Sequence, residues 1–334
     1  KLWNEHNEAK ALGIETKSIV IGAYTILKLC RYTGNKTAND YVNSIIEAYK
    51  DLIKKCEENN IKWIQFDEPA LVQDMTTDDI SLFHKIYDEI LPYAKKCNIL
   101  LQTYFGDVRD IYEDLIKMPF SAIGLDFIEG KETINLINKY GFPNDKLLFA
   151  GLVNGKNIWK NHYDKTLNVL NKLKNNGIEV VLSTSCSLLH VPYTLKHENK
   201  LSQKHLDYFA FAEEKLIELT ELSVLADSKD YLENTIYKDN QKLFANSRDC
   251  ENEDVKQRLS AITDDDYIRL PKRSERQKLQ RKVLEIPEFP TTTIGSFPQT
   301  KDVKSNRSAF RKGEISEQEY IEFNKKKIAE CVKW

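Results

Sequence analysis

Six short apolar runs, each followed by a longer amphipathic stretch, constrain the fold of this chain more than any other feature. They are Ser18–Ala23, Trp63–Phe66, Ile99–Tyr104, Ala122–Phe127, Leu147–Leu152 and Val180–Ser185. Each is nearly continuous in apolar residues rather than alternating, the pattern of parallel strands covered on both faces. Between the first two, Tyr41, Ile45, Ala48, Tyr49, Leu52 and Ile53 recur at three- and four-residue spacing, and Asn59-Asn60 follow. That predicts a core-facing helix over 41–56. A strand–helix unit repeated in this way builds either an open doubly wound sheet or a barrel. No Gly-x-Gly-x-x-Gly opens a helix, so the dinucleotide-binding sheet has no support. Polar residues instead recur at strand ends: Asp67-Glu68-Pro69, Gln102-Thr103-Tyr104, Asp126, Asn154-Gly155, and Ser185-Cys186-Ser187 with His190. Such a ring is the layout of a barrel's functional face. The expected fold is α/β, a TIM (βα)8 barrel that is incomplete in this chain, with about six βα units.

Leu201–Leu225 is amphipathic and predicts the closing helix, so residues 1–226 read as a barrel lacking its first units. Residues 227–286 are rich in charge, with Asp264-Asp265-Asp266 and Arg273-Ser274-Glu275-Arg276, and read as a helical connector. Residues 287–334 open a second domain. There Thr291–Ile294 has the β-branched composition of a strand, Gly295 allows close backbone approach, and Pro298 stops pairing. Ser316-x-x-Glu319 is a capping box, followed by apolar Tyr320, Phe323, Ile328 and Val332. The chain starts at Lys1 rather than Met and carries thirty-four residues after Thr300, so it reads as a piece of something larger.

Lys and Arg number 49 against 51 Asp and Glu, which gives no electrostatic case for nucleic acid or an anionic membrane. No apolar run approaches the roughly 18 residues of a membrane span. Six cysteines (Cys30, Cys56, Cys97, Cys186, Cys250, Cys331) lack paired spacing, which suits a reducing compartment and a cytoplasmic location.

Three strand-end groups could carry chemistry. Asp67-Glu68-Pro69 places adjacent carboxylates on opposite faces. They read either as a general acid/base or substrate-amine anchor, or as carboxylates tying down loop amides. Cys186 and His190 could share a metal, but zinc needs at least three protein ligands. A nucleophilic Cys–His pair, or a buried Cys beside an interfacial His, are the other readings. Asn154-Gly155-Lys156-Asn157 offers amides and a cation to an anion, and equally makes a turn.

Taken in order, several segments resemble the cobalamin-independent methionine synthase family. They are Trp63-Ile64-Gln65-Phe66-Asp67-Glu68-Pro69-Ala70-Leu71, Thr103-Tyr104-Phe105, residues 151–159 (GLVNGKNIW), residues 185–190 (SCSLLH) and residues 290–300 (PTTTIGSFPQT). The resemblance implies two face-to-face (βα)8 barrels and methyl transfer from 5-methyltetrahydropteroyltriglutamate, a methyltetrahydrofolate polyglutamate, to homocysteine, without cobalamin. It implies a monomer when full length, with no nucleic-acid or membrane partner. It puts the zinc ligands (one His, two Cys, one Glu) and the proton-donating His beyond Trp334, and basic folate contacts before Lys1. No catalytic residue or metal ligand then falls in this chain, and the piece alone is expected to be inactive. Ile294, Gly295 and Ser296 match the family's contact to the amino-acid group of homocysteine. In the catalytic barrel the strand matching Leu100–Tyr104 would carry a His-x-Cys pair. Thr103 and Phe105 stand there instead, and only Cys186 remains, which implies a degenerate barrel serving as scaffold and as one wall of the folate cleft. Asp67, Glu68, Asn154, Cys186 and His190 are then cleft or structural polar residues.

Two other readings predict different things. A barrel enzyme of the uroporphyrinogen decarboxylase type would use Asp67 or Glu68 and leave residues 290–300 without a role. A non-catalytic barrel remnant would bind a pterin or a protein partner.

Overall fold

The computed structural model describes residues 2–245, 252–285, 287–292, 295 and 299–333. Six parallel strands form one sheet: β1 Ser18–Ile21, β2 Trp63–Asp67, β3 Asn98–Gln102, β4 Ala122–Asp126, β5 Leu147–Val153 and β6 Val180–Thr184. Their order in the sheet is their order in the chain. That is the arrangement of a barrel wall; a doubly wound sheet would reverse direction partway. β1 pairs with β2 and β6 with β5, and the sheet does not close.

Helices α1 Leu2–Ala11, α2 Ala23–Leu29, α3 Val42–Glu58, α4 Thr77–Ile90, α5 Tyr112–Lys117, α6 Thr133–Tyr140, α7 Tyr163–Asn175, α8 Gln203–Leu206, α9 Ala212–Asp227 and α10 Thr235–Ala245 belong to the same compact unit, Lys1–Asp249. α3 buries Val42, Ile46, Tyr49, Ile53 and Cys56, the three-and-four stripe expected of it. α4 starts with a capping box in which the Asp79 amide donates to Thr76 Oγ1 and the Thr76 amide to an Asp79 carboxylate oxygen. The core lies between the outer sheet face (Ile64, Phe66, Ile99, Leu101, Ile123, Leu125, Leu148) and these helices. Register places Ile19 and Ile21 beside Gln65 and Asp67, on the opposite, inner face. Ile19 is 52% and Ile21 56% exposed there, because β1 has no neighbour on its other side among the described residues.

One expectation changes in this unit. The helix anticipated over Leu201–Leu225 is two helices, α8 and α9. Between them Phe209 bridges antiparallel to Trp159, with the Lys160 amide donating to Tyr208 O (2.8 Å) and the Ala210 amide to Ile158 O (2.8 Å). Those bonds take the backbone groups a continuous helix would need. After 227 the chain packs on the barrel through α10: Asn240 accepts from the Tyr163 amide (3.0 Å) and donates to Asn161 O (2.9 Å).

Cys250–Trp334 is a separate compact unit. It holds α11 Glu253–Ser260, α12 Arg273–Leu284, α13 Lys301–Arg311 and α14 Glu317–Lys333. α14 starts with the capping box, the Glu319 amide donating to Ser316 Oγ (3.3 Å) and the Ser316 amide to Glu319 Oε2 (2.8 Å). Phe310 and Tyr320 stack at 4.6 Å between α13 and α14. Thr291 and Thr292 are in no strand, and Thr293 and Ile294 lie outside the described residues.

Candidate functional site: the strand-end face

The C-terminal ends of β2 to β6 bring Asp67, Tyr104, Asp126, Asn154 and Cys186 to one end of the sheet. The adjacent carboxylates of β2 have separate fates. Glu68 is fully buried and takes the amides of Tyr24 (3.0 Å, Oε1) and Thr25 (2.7 Å, Oε2), which open α2, and the Tyr87 hydroxyl. Burial pushes its carboxyl up to about 7, against the pull of those donors. Gly22 makes room for it: a Cβ there would lie 2.1 Å from Glu68 Cδ.

Asp67 faces the inner side. Gln65 Nε2 donates to it at 2.6 Å and the Tyr104 hydroxyl stands 3.5 Å away. Burial raises its proton affinity, while Gln65, Lys17 and Tyr104 pull the other way. Burial, then Asp67, pushes the Tyr104 phenol up to about 12. Lys17, just before β1, lies with its ammonium 5.0 Å from the Phe149 ring centre, and burial lowers its proton affinity.

On β4, Asp126 accepts from the amides of Ile128 (2.7 Å), Glu129 (2.9 Å) and Phe105 (2.9 Å). The last bond holds Phe105 at φ +73°, a left-handed conformation uncommon outside glycine. The Phe105 ring packs edge-on against Tyr104 (4.9 Å) and His190 (5.3 Å), with Lys156 Nζ 5.3 Å from its centre. Asn154 Oδ1 accepts from the amides of Lys156 (2.8 Å) and Asn157 (3.0 Å), closing a turn on itself. Gly155 sits where a Cβ would meet Cys186 O at 2.5 Å.

Cys186 is buried and its thiol is pushed up, chiefly by burial, with Asp126, Lys156 and Glu129 nearby. His190 is exposed, and its ring contact is Phe105. Gly295 has φ +81°, the region glycine favours, and Ile294 and Ser296 lie outside the described residues. Lys17 was not singled out from sequence, Gln65 stood only within a resembling segment, and Phe105 was noted as standing where the catalytic barrel would carry a zinc ligand. Nothing in the sequence marked Phe105 as a left-handed residue.

Among the described residues no three His, Cys, Asp or Glu side chains are arranged to hold a metal ion. Thr103 Oγ1 donates to Gly124 O (2.9 Å), Phe105 offers only a ring, and the Cys186 thiol is disfavoured as a thiolate. These residues do not fit zinc. Among the described residues, the face orients loops and offers an aromatic surface beside the Lys156 ammonium.

Residues 1–177 match the family model described as "Cobalamin-independent synthase, N-terminal domain", and residues 289–334 match "Cobalamin-independent synthase, Catalytic domain". The chain is 48% identical over 332 residues to a protein of Campylobacter jejuni subsp. jejuni (strain 81-176), covering 99% of this chain and 44% of that protein. It is 48% identical to a protein of Lactococcus lactis subsp. cremoris (strain SK11), covering 99% and 43%. Both relatives are named 5-methyltetrahydropteroyltriglutamate–homocysteine methyltransferase. This chain thus spans less than half the length of the curated relatives it matches. A solved structure from Listeria monocytogenes, titled a putative vitamin-B12 independent methionine synthase, superposes with a TM-score of 0.46 at 15% identity, covering 63% of each chain.

Proposed function

We propose, from the premise that this chain belongs to the cobalamin-independent methionine synthase family, that its residues serve methyl transfer from 5-methyltetrahydropteroyltriglutamate to homocysteine as part of a longer methyltransferase. Residues 1–226 act as the N-terminal barrel, a scaffold and one wall of the folate cleft. Residues 227–286 are the connector, its first helix folded back on the barrel. Residues 287–334 start the catalytic barrel, where Ile294, Gly295 and Ser296 contact the amino-acid group of homocysteine. The observation that carries the scaffold reading is the use of the buried strand-end carboxylates: Glu68 accepts from the two amides that open α2 and from the Tyr87 hydroxyl, and Asp126 accepts from three loop amides, leaving neither free for substrate.

Zinc belongs to the family's chemistry and the residues described here do not fit it; its ligands are assigned to catalytic-barrel residues outside these 334. The longer protein works as a cytoplasmic monomer without cobalamin, nucleic acid or membrane. The free thiols of Cys30, Cys56, Cys97, Cys186 and Cys331 support the reducing compartment. No described helix is long and apolar enough to cross a membrane.

The test is methionine formation from homocysteine and 5-methyltetrahydropteroyltriglutamate in the presence of zinc. The purified 334-residue chain is expected to form none. A chimera continued with the catalytic domain and preceded by the missing barrel units of a relative is expected to be active. Appreciable turnover by the chain alone would overturn the scaffold reading.

A further inference from the structure

We propose that Glu218, acting with Lys215, is a proton-controlled clamp on the loop between β5 and α7. α9 turns two charged side chains inward: Lys215 is 0% and Glu218 2% exposed. Both reach the same short stretch of backbone. Lys215 Nζ donates to Trp159 O at 3.1 Å, and the Asn161 amide donates to Glu218 Oε1 at 2.7 Å. One helix thus grips residues 159–161 with a donor and an acceptor a turn apart. The Asn161 side chain continues the tie, donating through Nδ2 to Leu152 O (3.3 Å) on β5.

The other oxygen, Glu218 Oε2, is buried and has no hydrogen-bond partner. A protonated carboxyl in that place leaves one hydrogen bond unmade; an ionised one leaves a buried negative oxygen without a donor, which costs far more. The groups facing it are Lys215 and Glu221 on its own helix, Lys160 in the loop, and Tyr163 of α7, whose hydroxyl donates to Glu221. Cys186, after β6, lies close enough to bear on the Lys215 charge. Burial is the largest influence on Glu218; the Asn161 amide and the two lysines oppose it and Glu221 adds to it, and the balance puts the carboxyl at about 7.

The sign follows. Below neutrality Glu218 is uncharged and the loop is held as described. Above it, the charge on Oε2 is relieved by Lys160 swinging inward, or by residues 159–161 parting from α9 to admit water. Either alters the surroundings of the half-exposed Trp159 ring, which packs 5.2 Å from Phe209. Because the same loop begins at Asn154-Gly155-Lys156, proton release at Glu218 reaches the strand-end face.

Fluorine NMR of the whole chain labelled with fluorotryptophan reads this directly, with the Trp159 signal assigned by Trp159→Phe. Titrated across neutrality, the Trp159 signal is expected to shift with a midpoint near 7. Glu218→Gln keeps an acceptor for the Asn161 amide but cannot ionise, and should abolish the shift. Lys160→Gln removes an attraction for the ionised form and should move the wild-type midpoint upward. A Trp159 signal that does not titrate, or titrates equally in Glu218→Gln, overturns the proposal. So does an unmoved midpoint in Lys160→Gln, which keeps the test alive if Glu218→Gln fails to fold.

Discussion

Gly22 and Glu68 fit together so closely that neither can change alone. The carboxylate reaches the first amides of α2 by lying where a side chain on residue 22 would be. Gly22→Ala is therefore expected to lower stability by about 1–3 kcal/mol, the usual cost of overpacking; urea denaturation followed by circular dichroism would show it, and an unchanged midpoint would refute it. The cysteines offer a second check at this scale. Burial pushes the Cys56 and Cys97 thiols up to about 12, whereas Cys30 is exposed. Iodoacetamide at neutral pH is expected to modify Cys30 in the folded protein, and Cys56 and Cys97 only after unfolding, as read by peptide mass spectrometry. Equal labelling of all three would contradict the packing. What sequence could not show at this scale is burial of charge. Lys215 and Glu218 look like the solvated face of an amphipathic helix, and only the backbone of residues 159–161 lying over α9 makes them internal. Phe105 is hidden for a different reason: its left-handed φ is imposed by Asp126 from another strand, and no local pattern records that bond.

At the scale of elements, the strands were the most legible part of the chain. All six apolar runs became strands within two residues of the expected bounds, because a parallel strand covered on both faces has to be apolar along its length. α3 was legible for the complementary reason, its buried stripe repeating with the helical period. The break between α8 and α9 was not, since it depends on the Trp159–Phe209 bridge, a pairing between residues fifty apart. α10 shows the same limit. Its charge-rich sequence reads as a helical connector, and the sequence does not show that Asn240 closes two backbone hydrogen bonds on the barrel or that Tyr237 donates to Asp164 at 2.9 Å. Asn240→Ala leaves a buried amide and carbonyl unpaired, which should cost about 1–3 kcal/mol. Thermal unfolding would measure it, and a loss below a few tenths of a kcal/mol would mean that α10 rests on the barrel without being needed there.

At the scale of the whole molecule, Glu68, Asp126 and Asn154 at the strand ends accept from neighbouring backbone amides, so polar residues recurring there have an anchoring role that sequence spacing alone does not separate from chemistry. The order of the sheet carries one more consequence. With strands stacked in chain order and no bond joining first to last, the wall behaves as a linear array whose interior members have two supports and whose end members have one. Such an array opens from its ends. Amide hydrogen exchange should therefore be slowest in β3 and β4 and become faster stepwise toward β1 and β6, with Ile19 and Ile21 among the earliest strand amides to exchange. Uniform protection across the six strands would mean they open as one cooperative unit. A graded pattern would make the wall's resistance to unfolding a matter of distance from its free ends, and its middle strands the last structure to be lost.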